Sequence, residues 1–284
     1  MAIRIVTDST AYISPEVLER YSIEVVPLSV HFGDEVFKEG EKYTNKEYYD
    51  KLRNTKLSAT TSQPSSGEFL SVYEKLAEEG HEIVSIHISS ILSGTYASAQ
   101  TASSLLPNAK ITIIDSLTTA CPLSWMVTEA AKAAEEGKTS EDIIQLVETI
   151  KENNKIMFVV DTLEYLKRGG RIGGAQALLG TILQIKPILH LSNGRIEVLD
   201  KVRTKQKALS RLTNELEIFL SAQNDYTNIK VAVLAVDDDT ARLALKESLL
   251  VKYPSLEIES SELGPVIGSH VGPGTVGISF TKFA

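Results

Sequence analysis

Short β-type runs return at regular intervals through the first half of this sequence, separated by amphipathic helical segments, and this alternation restricts the fold more than any other feature. Ile3–Asp8 alternates as a strand. Ser14-Pro15-Glu16 opens a helix, with Ser as N-cap and Pro at the first helical position, where its missing N–H leaves no gap. Ile23–Phe32 reads as one extended run. Thr44-Asn45-Lys46-Glu47 and Ser65-Ser66-Gly67-Glu68 both match the capping box, and predict helices to about Asn54 and to Glu79, the second stopped by Gly80. Glu82–Ile88, Ser93–Leu106 and Lys110–Asp115 follow as strand, helix and strand, then helices near Pro122–Glu136 and Glu141–Asn153. Parallel neighbours need a crossover, usually helical, so the pattern predicts a mostly parallel sheet with helices on both faces.

The pattern changes after the polar run Glu152-Asn153-Asn154-Lys155. Lys155–Asp161 reads as a strand, followed by short Gly-interrupted helices to about Gln184. Ile188–Leu191 and Arg195–Lys201 flank Ser192-Asn193-Gly194, and Asn-Gly between apolar runs is a hairpin signal. A helix from about Thr204 to Ala222 precedes a strand at Ile229–Val236, a helix at Ala241–Lys252, and strands at Glu257–Ser261 and Thr275–Phe283. The expected fold class is α/β, built as two α/β domains. Residues 1–155 form the N-terminal, mostly parallel domain and residues 156–284 a C-terminal mixed α+β domain. A length of 284 residues suits that division at about 150 residues per domain.

Charge and cysteine content exclude several functions. Lys and Arg number 29 against 37 Asp and Glu, a net charge of −8, which does not suit nonspecific binding to nucleic acid or an anionic membrane. The single cysteine, Cys121, cannot form an intrachain disulfide or a Cys-based zinc site, and reads as a small buried hydrophobe. The first residues form a strand rather than a signal peptide. The best apolar stretch, Ala175 to Leu191, is broken by Gly180, Gln184, Lys186 and Pro187, short of the ~20 residues of a membrane helix. The expected location is cytoplasmic.

Four groups of residues are candidates for chemistry. Thr60–Ser66 and Ser89–Thr95 are Ser/Thr-rich segments just ahead of helices. There, free backbone N–H groups, the helix dipole and hydroxyl donors suit a phosphate or carboxylate, and Gly94 allows close approach; ordinary capping is the alternative. Asp8, Asp115 and Asp161 end apolar runs, where open sheets bind ligands, and two of them together could hold Mg²⁺ for phosphoryl transfer. Strand termination is the alternative, and no histidine at metal-ligand spacing accompanies them. Gly272–Gly277 matches a dinucleotide motif by letters, but the residues after it alternate as a strand, which rejects that reading. Gly169–Gly174 shapes a tight turn around Arg171, and His270 lies between two glycine-rich turns as a structural group or a ligand contact. His87 and His190 read as packing residues. Lys167, Arg168 and Arg171 form one basic cluster; Lys201, Arg203, Lys205, Lys207 and Arg211 form another, with Arg203, Lys207 and Arg211 on one helix face. These are solvated faces or a docking and phosphate-facing surface.

These motifs together resemble the DegV family, fatty-acid-binding proteins that serve bacterial fatty acid kinase. The resemblance runs over essentially the whole chain. It is carried by Val6-Thr7-Asp8-Ser9-Thr10, Thr61-Ser62-Gln63-Pro64-Ser65, Ser89 through Ala99, Gly169-Gly170-Arg171 and His270 through Gly277, with no departure at these positions. It implies a lipid between the two domains. Thr61 and Ser93 would hold the fatty acid carboxylate, with Ser62, Gly94 and Thr95 beside them and His270 supporting the cluster. Arg171 and Arg203 would face the kinase, which supplies ATP and phosphorylates the bound acyl chain to an acyl phosphate. The chain itself would be a carrier with no catalytic residue, no metal and no cofactor beyond the bound lipid, and with transient membrane contact open to it. The apolar, Gly-broken run 175–183 suits a wall around a flexible acyl chain. The alternative is a Mg-dependent phosphotransferase or hydrolase using the strand-end aspartates.

Overall fold

In the computed structural model, which describes residues 2–55, 58–180 and 185–283, the opening strand β1 (Ile3–Asp8) lies at the heart of a four-stranded parallel sheet. The chain runs through α1 (Pro15–Arg20) to β2 (Glu24–Val26) at one side of β1. It returns later to place β6 (Glu82–His87) on the other side and β7 (Ile111–Asp115) beyond it. The winding therefore changes direction between β1 and β6, which opens a crevice at their carboxyl ends. Alternation decides the faces. Val6 and Ile83 pack against α3 (Ser66–Glu78) and α4 (Thr95–Ser104), while Ile5, Val84 and Ile86 pack against α5 (Ala120–Glu135) and α6 (Ser140–Asn153).

The run read as one strand from Ile23 to Phe32 is two. Pro27, which has no N–H to give a ladder, separates β2 from β3 (Ser29–Phe32), and β3 belongs to a different sheet. That antiparallel sheet, β4-β3-β5, adds β4 (Glu35–Lys38) and β5 (Ala59–Ser62), neither expected from the sequence. The cue for β4 is Gly33-Asp34, a two-residue hairpin loop with Gly33 at φ 63°. Residues 59–62, Ala-Thr-Thr-Ser, carry no hydrophobic alternation, so only pairing with β3 makes them a strand. Helix α2 (Asn45–Arg53) has the expected capping box between Thr44 and Glu47.

The second half forms a six-stranded sheet, ordered β10-β9-β8-β13-β11-β12 and antiparallel except for β11 with β12. Its strands are β8 (Lys155–Val159), β9 (Lys186–Ser192), β10 (Arg195–Val202), β11 (Ile229–Val236), β12 (Ile258–Glu262) and β13 (Thr275–Lys282). Asn193 and Gly194 close the β9–β10 hairpin at φ 49° and 78°, as the Asn-Gly signal requires. Helices α8 (Lys205–Ser221) and α9 (Asp239–Lys252) cover one face; Ala208, Leu212, Leu216 and Leu220 form the four-residue stripe that α8 buries there. Between β8 and β9 lie α7 (Glu164–Arg168) and a 3₁₀ segment, Gly173–Leu178. The helices read as far as Gln184, and the last part of the 175–183 wall, fall at 181–184, outside the described residues.

The other face of this sheet packs on the three-stranded sheet. Val30, Phe32, Tyr48 and Tyr49 share one core with Ile156, Phe158, Leu189 and Leu234. Cys121 and Trp125 on α5 face the same core, while Leu123 and Met126 face the parallel-sheet core, so α5 serves both. Burial pushes the Cys121 thiol up to about 12, which makes it unreactive.

Between these bodies sits α10 (Pro265–Val271), where the sequence suggested only glycine-rich turns; Pro265 occupies its first turn. Distant residues hold its start. Tyr49 donates its hydroxyl to the Leu263 and Gly264 carbonyls at 2.7 and 2.8 Å, Val266 N donates to Glu39 Oε1 at 2.8 Å, and Tyr12 donates to the same oxygen at 3.2 Å. Glu39 Oε2 is closed off from solvent without a partner. Burial raises the Glu39 carboxyl to about 7, outweighing the Val266 and Tyr12 hydrogen bonds that favour its ionised form.

A carboxyl raised in the folded protein binds more protons there than in the unfolded chain, so its stabilising contribution is largest in acid. That contribution declines from near the unfolded value of 4.5 and is lost as pH rises through about 7. Glu39→Gln should remove this segment of pH dependence and gain stability relative to wild type at pH 8 more than at pH 5. Urea unfolding of both proteins at several pH values checks it; parallel pH profiles would contradict it.

Candidate functional site

A cavity of about 350 Å³ lies where the parallel sheet, the six-stranded sheet and α10 meet, within the usual range of ligand pockets. Ile88 and Leu92 line it from the loop after β6, Ile156, Phe158 and Leu234 from the six-stranded sheet, and Val266 from α10. Its polar groups are Thr61, Ser62, Gln63, Ser93, Thr119, Arg171, His270 and Thr275. Among the described residues, no Asp or Glu reaches the wall.

Each polar group has a local cause. Thr61 and Ser62 end β5, which pairs Thr61 with Val30 and Ser62 with Ser29. They belong to a strand rather than to a helix start, and the N-terminus of α3 is capped by its own box of Ser65 and Glu68. Thr61 Oγ1 lies 2.7 Å from His270 Nε2, and Ser62 Oγ lies 2.9 Å from His31 Nε2. Ser93 lies just ahead of α4, whose N-cap Gly94 has no side-chain capping bond. Its hydroxyl lies 2.9 Å from Thr95 Oγ1 and accepts from Thr95 N at 3.4 Å. Gly94 and Thr95 stand behind Ser93, outside the cavity wall. The reason for glycine at position 94 is steric, because a Cβ would overlap Gln63 Oε1, and Gln63 donates to Ser98 Oγ at 3.0 Å. Gln63 is a lining residue that the motif reading did not assign; its amide reaches the site only because β5 and α4 adjoin.

Burial, reinforced by the neighbouring Arg171 charge, lowers His270 to about 4, so its imidazole is neutral at pH 7. Gly169 makes room for that ring, since a Cβ there would overlap His270 Nδ1. Arg171 supplies the positive charge. It is half-buried, donating Nε to the Leu92 carbonyl at 2.9 Å and Nη1 to the Gly169 carbonyl at 2.6 Å. Hydroxyls, a carboxamide and a guanidinium in a wall otherwise made largely of aliphatic side chains suit a small anionic head on an apolar tail.

Arg203 lies elsewhere. It is exposed, one residue before the Thr204 N-cap of α8, and does not line the cavity. The expected helical stripe Arg203–Lys207–Arg211 does not form, because the helix starts after Arg203 and Arg211 pairs with Asp200 and Glu215. Lys205 is also engaged, by Asp238 and the Gly274 carbonyl at 2.9 and 2.8 Å. In the other cluster Lys167 and Arg168 face solvent while Arg171 turns inward.

The strand-end aspartates do not converge. Asp8 accepts from Thr10 N, Thr10 Oγ1, His87 Nδ1 and Ile88 N. Asp115 Oδ1 accepts from Ser90 N and Leu117 N, and Asp161 pairs with Lys186 at the end of the other sheet. All three carboxylates are engaged by protein donors, and among the described residues no three His, Cys, Asp or Glu side chains gather as metal ligands. Likewise, among the described residues, no helix is long and apolar enough to cross a membrane.

Comparison with known proteins adds a family. A family model described as "Uncharacterised protein, DegV family" matches residues 2–282. A DegV domain-containing protein of Halalkalibacterium halodurans is 39% identical over 279 residues, covering 98% of each chain. A solved DegV family protein from Thermus thermophilus, described as fatty acid binding, superposes with a TM-score of 0.92 at 36% identity over 100% of both chains. DegV from Bacillus subtilis, described as a fatty acid binding protein, gives a TM-score of 0.91 at 36% identity over 99% of both chains.

The Gly169–His270 packing makes a sharp test of the site. Gly169 has φ −73°, so its backbone accepts alanine without strain, and the effect of Gly169→Ala falls on His270. The variant should fold but displace the imidazole from Thr61. Circular dichroism should match wild type, while the His270 ring resonances shift in NMR; an unmoved ring would show that the pocket yields elsewhere.

Proposed function

The chain belongs to the DegV family, and from that premise we propose that it binds a long-chain fatty acid between its two halves and holds the carboxylate at Thr61 and Ser93. The observation that carries this reading is the cavity itself, lined by hydrogen-bond donors together with aliphatic side chains and free of acidic residues in its described wall. Fatty acid binding by two similar proteins of the same fold supports it.

The proton arrangement fits a carboxylate. Neutral His270 carries one ring hydrogen. With it on Nε2, Thr61 Oγ1 accepts from the ring and is left to donate its own hydrogen into the cavity. Ser93 would donate from the opposite side, with Thr95 and Gly94 fixing its position and Ser62 adjacent to Thr61. Arg171 would stabilise the negative charge. A charged head alone would bind weakly against water; the tail supplies most of the affinity. Burying about 15 methylenes at about 0.8 kcal/mol each gives a gross of about 12 kcal/mol, reduced by the entropy of immobilising the chain.

The same proposal assigns catalysis elsewhere. A histidine held near 4 is a weak base, and the strand-end aspartates are engaged by protein donors. The carboxylate would be presented to a separate ATP-dependent fatty acid kinase and leave as an acyl phosphate, in the cytoplasm, with no cofactor other than the bound lipid. Arg171, beside the head group, and exposed Arg203 would face the kinase or the transferred phosphoryl group. The domains of this proposal are 1–155 and 156–284, supported by the parallel sheet, whose four strands lie within the first segment, and the six-stranded sheet, whose strands begin at Lys155; the three-stranded sheet of the first segment packs on the second.

Native mass spectrometry should show one fatty acid per chain, retained through purification or taken up from added oleate. Thr61→Ala or Ser93→Ala should remove a charge-assisted hydrogen bond and cost roughly 1.5–3 kcal/mol of oleate binding. A clean apo mass with no uptake, or full affinity in both variants, would refute the assignment. Arg203→Glu should leave oleate binding unchanged while kinase-dependent acyl-phosphate formation collapses. Undiminished coupled activity would identify Arg203 as an ordinary solvated residue.

A further inference from the structure

Behind the cavity, at the change of direction between β1 and β6, four side chains form a hydrogen-bonded chain sealed from solvent: Tyr73, Ser85, His87 and Asp8. Tyr73 Oη lies 2.8 Å from Ser85 Oγ, Ser85 Oγ 2.7 Å from His87 Nε2, and His87 Nδ1 3.1 Å from Asp8 Oδ2. Ser85, His87 and Asp8 thus have the connectivity of a hydrolase triad. Ser85 lies fully buried and lines none of the ligand cavity, so it has no route to a substrate.

Proton bookkeeping gives the chain one direction. Burial pushes the Tyr73 phenol upward, so it keeps its hydrogen, and Ser85 is its hydrogen-bonding partner. A buried O–H left without an acceptor is costly, so Tyr73 donates to Ser85. Ser85 then donates to His87 Nε2, which must accept. The ring hydrogen is therefore on Nδ1 and points at Asp8. Asp8 Oδ2 also accepts from Ile88 N at 2.9 Å, while its other oxygen holds Thr10 N and Thr10 Oγ1.

Ile88 is where the chain meets the site. Ile88, Leu92 and Ser93 line the cavity, and the loop from Ser89 turns on bonds from Leu92 N and Ser93 N to the Ser89 carbonyl, both 3.0 Å. The same loop holds the other half of the protein: Ser89 Oγ donates to the Gly194 carbonyl at 2.8 Å, and the Leu92 carbonyl accepts from Arg171. Its start is tied to the parallel sheet through Asp8.

We propose that Tyr73, Ser85, His87 and Asp8 are positioning residues that set the Ile88–Ser93 loop, and through it Ser93, for the acyl head group; the identity of that ligand rests on the fatty-acid reading above. The chain explains why a polar column crosses the apolar α3 face of the parallel sheet, where Phe69 packs edge-on to His87 at 4.9 Å between ring centres. It also gives the Val6–Thr10 motif a role that the acyl site alone does not.

The test compares His87→Leu, which keeps bulk without a donor, with His87→Asn, whose amide N–H can replace Nδ1–H toward Asp8. Leu212→Ala, in the α8 core of the six-stranded sheet, which includes none of residues 88–93, controls for lost stability. Native-state amide exchange of residues 88–93 needs no ligand. His87→Leu should accelerate it about tenfold or more and weaken oleate binding by a similar factor, the usual scale for losing a hydrogen bond to a charged group, while His87→Asn restores both to near wild type. Leu212→Ala should lower the melting temperature without either effect. Indistinguishable Leu and Asn variants, or wild-type exchange in His87→Leu, would overturn the proposal. If His87→Leu does not fold, Asp8→Asn serves: it should speed exchange of the same loop, and ¹⁵N spectra of the wild type should place the His87 hydrogen on Nδ1; failure of either would overturn it. Absence of oleate binding to wild type would instead overturn the fatty-acid reading, leaving the exchange and tautomer results to decide the role of the chain.

Discussion

The bond between Thr61 and His270 joins residues 209 apart in sequence and holds two polar lining groups of the cavity together. It requires β5 to pair with β3, α10 to lie across the end of β5, and Gly169 to leave space behind the imidazole. It also requires that His270 stay neutral, which burial and the Arg171 charge secure. A protonated imidazole would donate from both nitrogens, one of them against the Gly169 backbone with no acceptor in place.

That dependence explains the placement of the three-stranded sheet. A doubly wound domain could run from β2 directly to its next helix. Here residues 29–62 leave the parallel sheet after Pro27, pack on the core of the six-stranded sheet, and return to α3. The excursion brings the hydroxyls at its end, Thr61 and Ser62, to the cavity that the loop after β6 also lines. It also brings Glu39 and Tyr49 to the start of α10, so one excursion supplies site groups and the supports of the helix opposite them.

The polar chemistry is divided between two kinds of neighbour. Groups facing the cavity are donors with modest partners, such as Ser93 with Thr95 and Gln63 with Ser98. One layer behind, Asp8 accepts four hydrogen bonds, and Asp115 Oδ1 accepts from Ser90 N and Leu117 N. Carboxylates engaged in this way serve the framework: Asp8 ties the start of the loop after β6 to the parallel sheet, and Asp161 pairs with Lys186 on the other sheet.

Local periodicity was sufficient to read β1, the two capping-box helices, the β9–β10 hairpin and the four-residue stripe of α8, because each is set by contacts within a few residues. The family motifs identified Thr61, Ser93, Arg171 and His270, and the fold gathers these four at one cavity. Sequence reading failed where a segment takes its structure from distant partners. Residues 59–62 are a strand only through β3, residues 265–271 a helix only in the socket made by Glu39 and Tyr49, and Gln63 a wall residue only because Gly94 lies across from it. The same holds for charge. Spacing placed Arg171 and Arg203 in similar basic clusters, but one turns into the cavity and the other into solvent. Side-chain direction there depends on where α7 and α8 end or begin against the sheet, and packing between remote surfaces decides that.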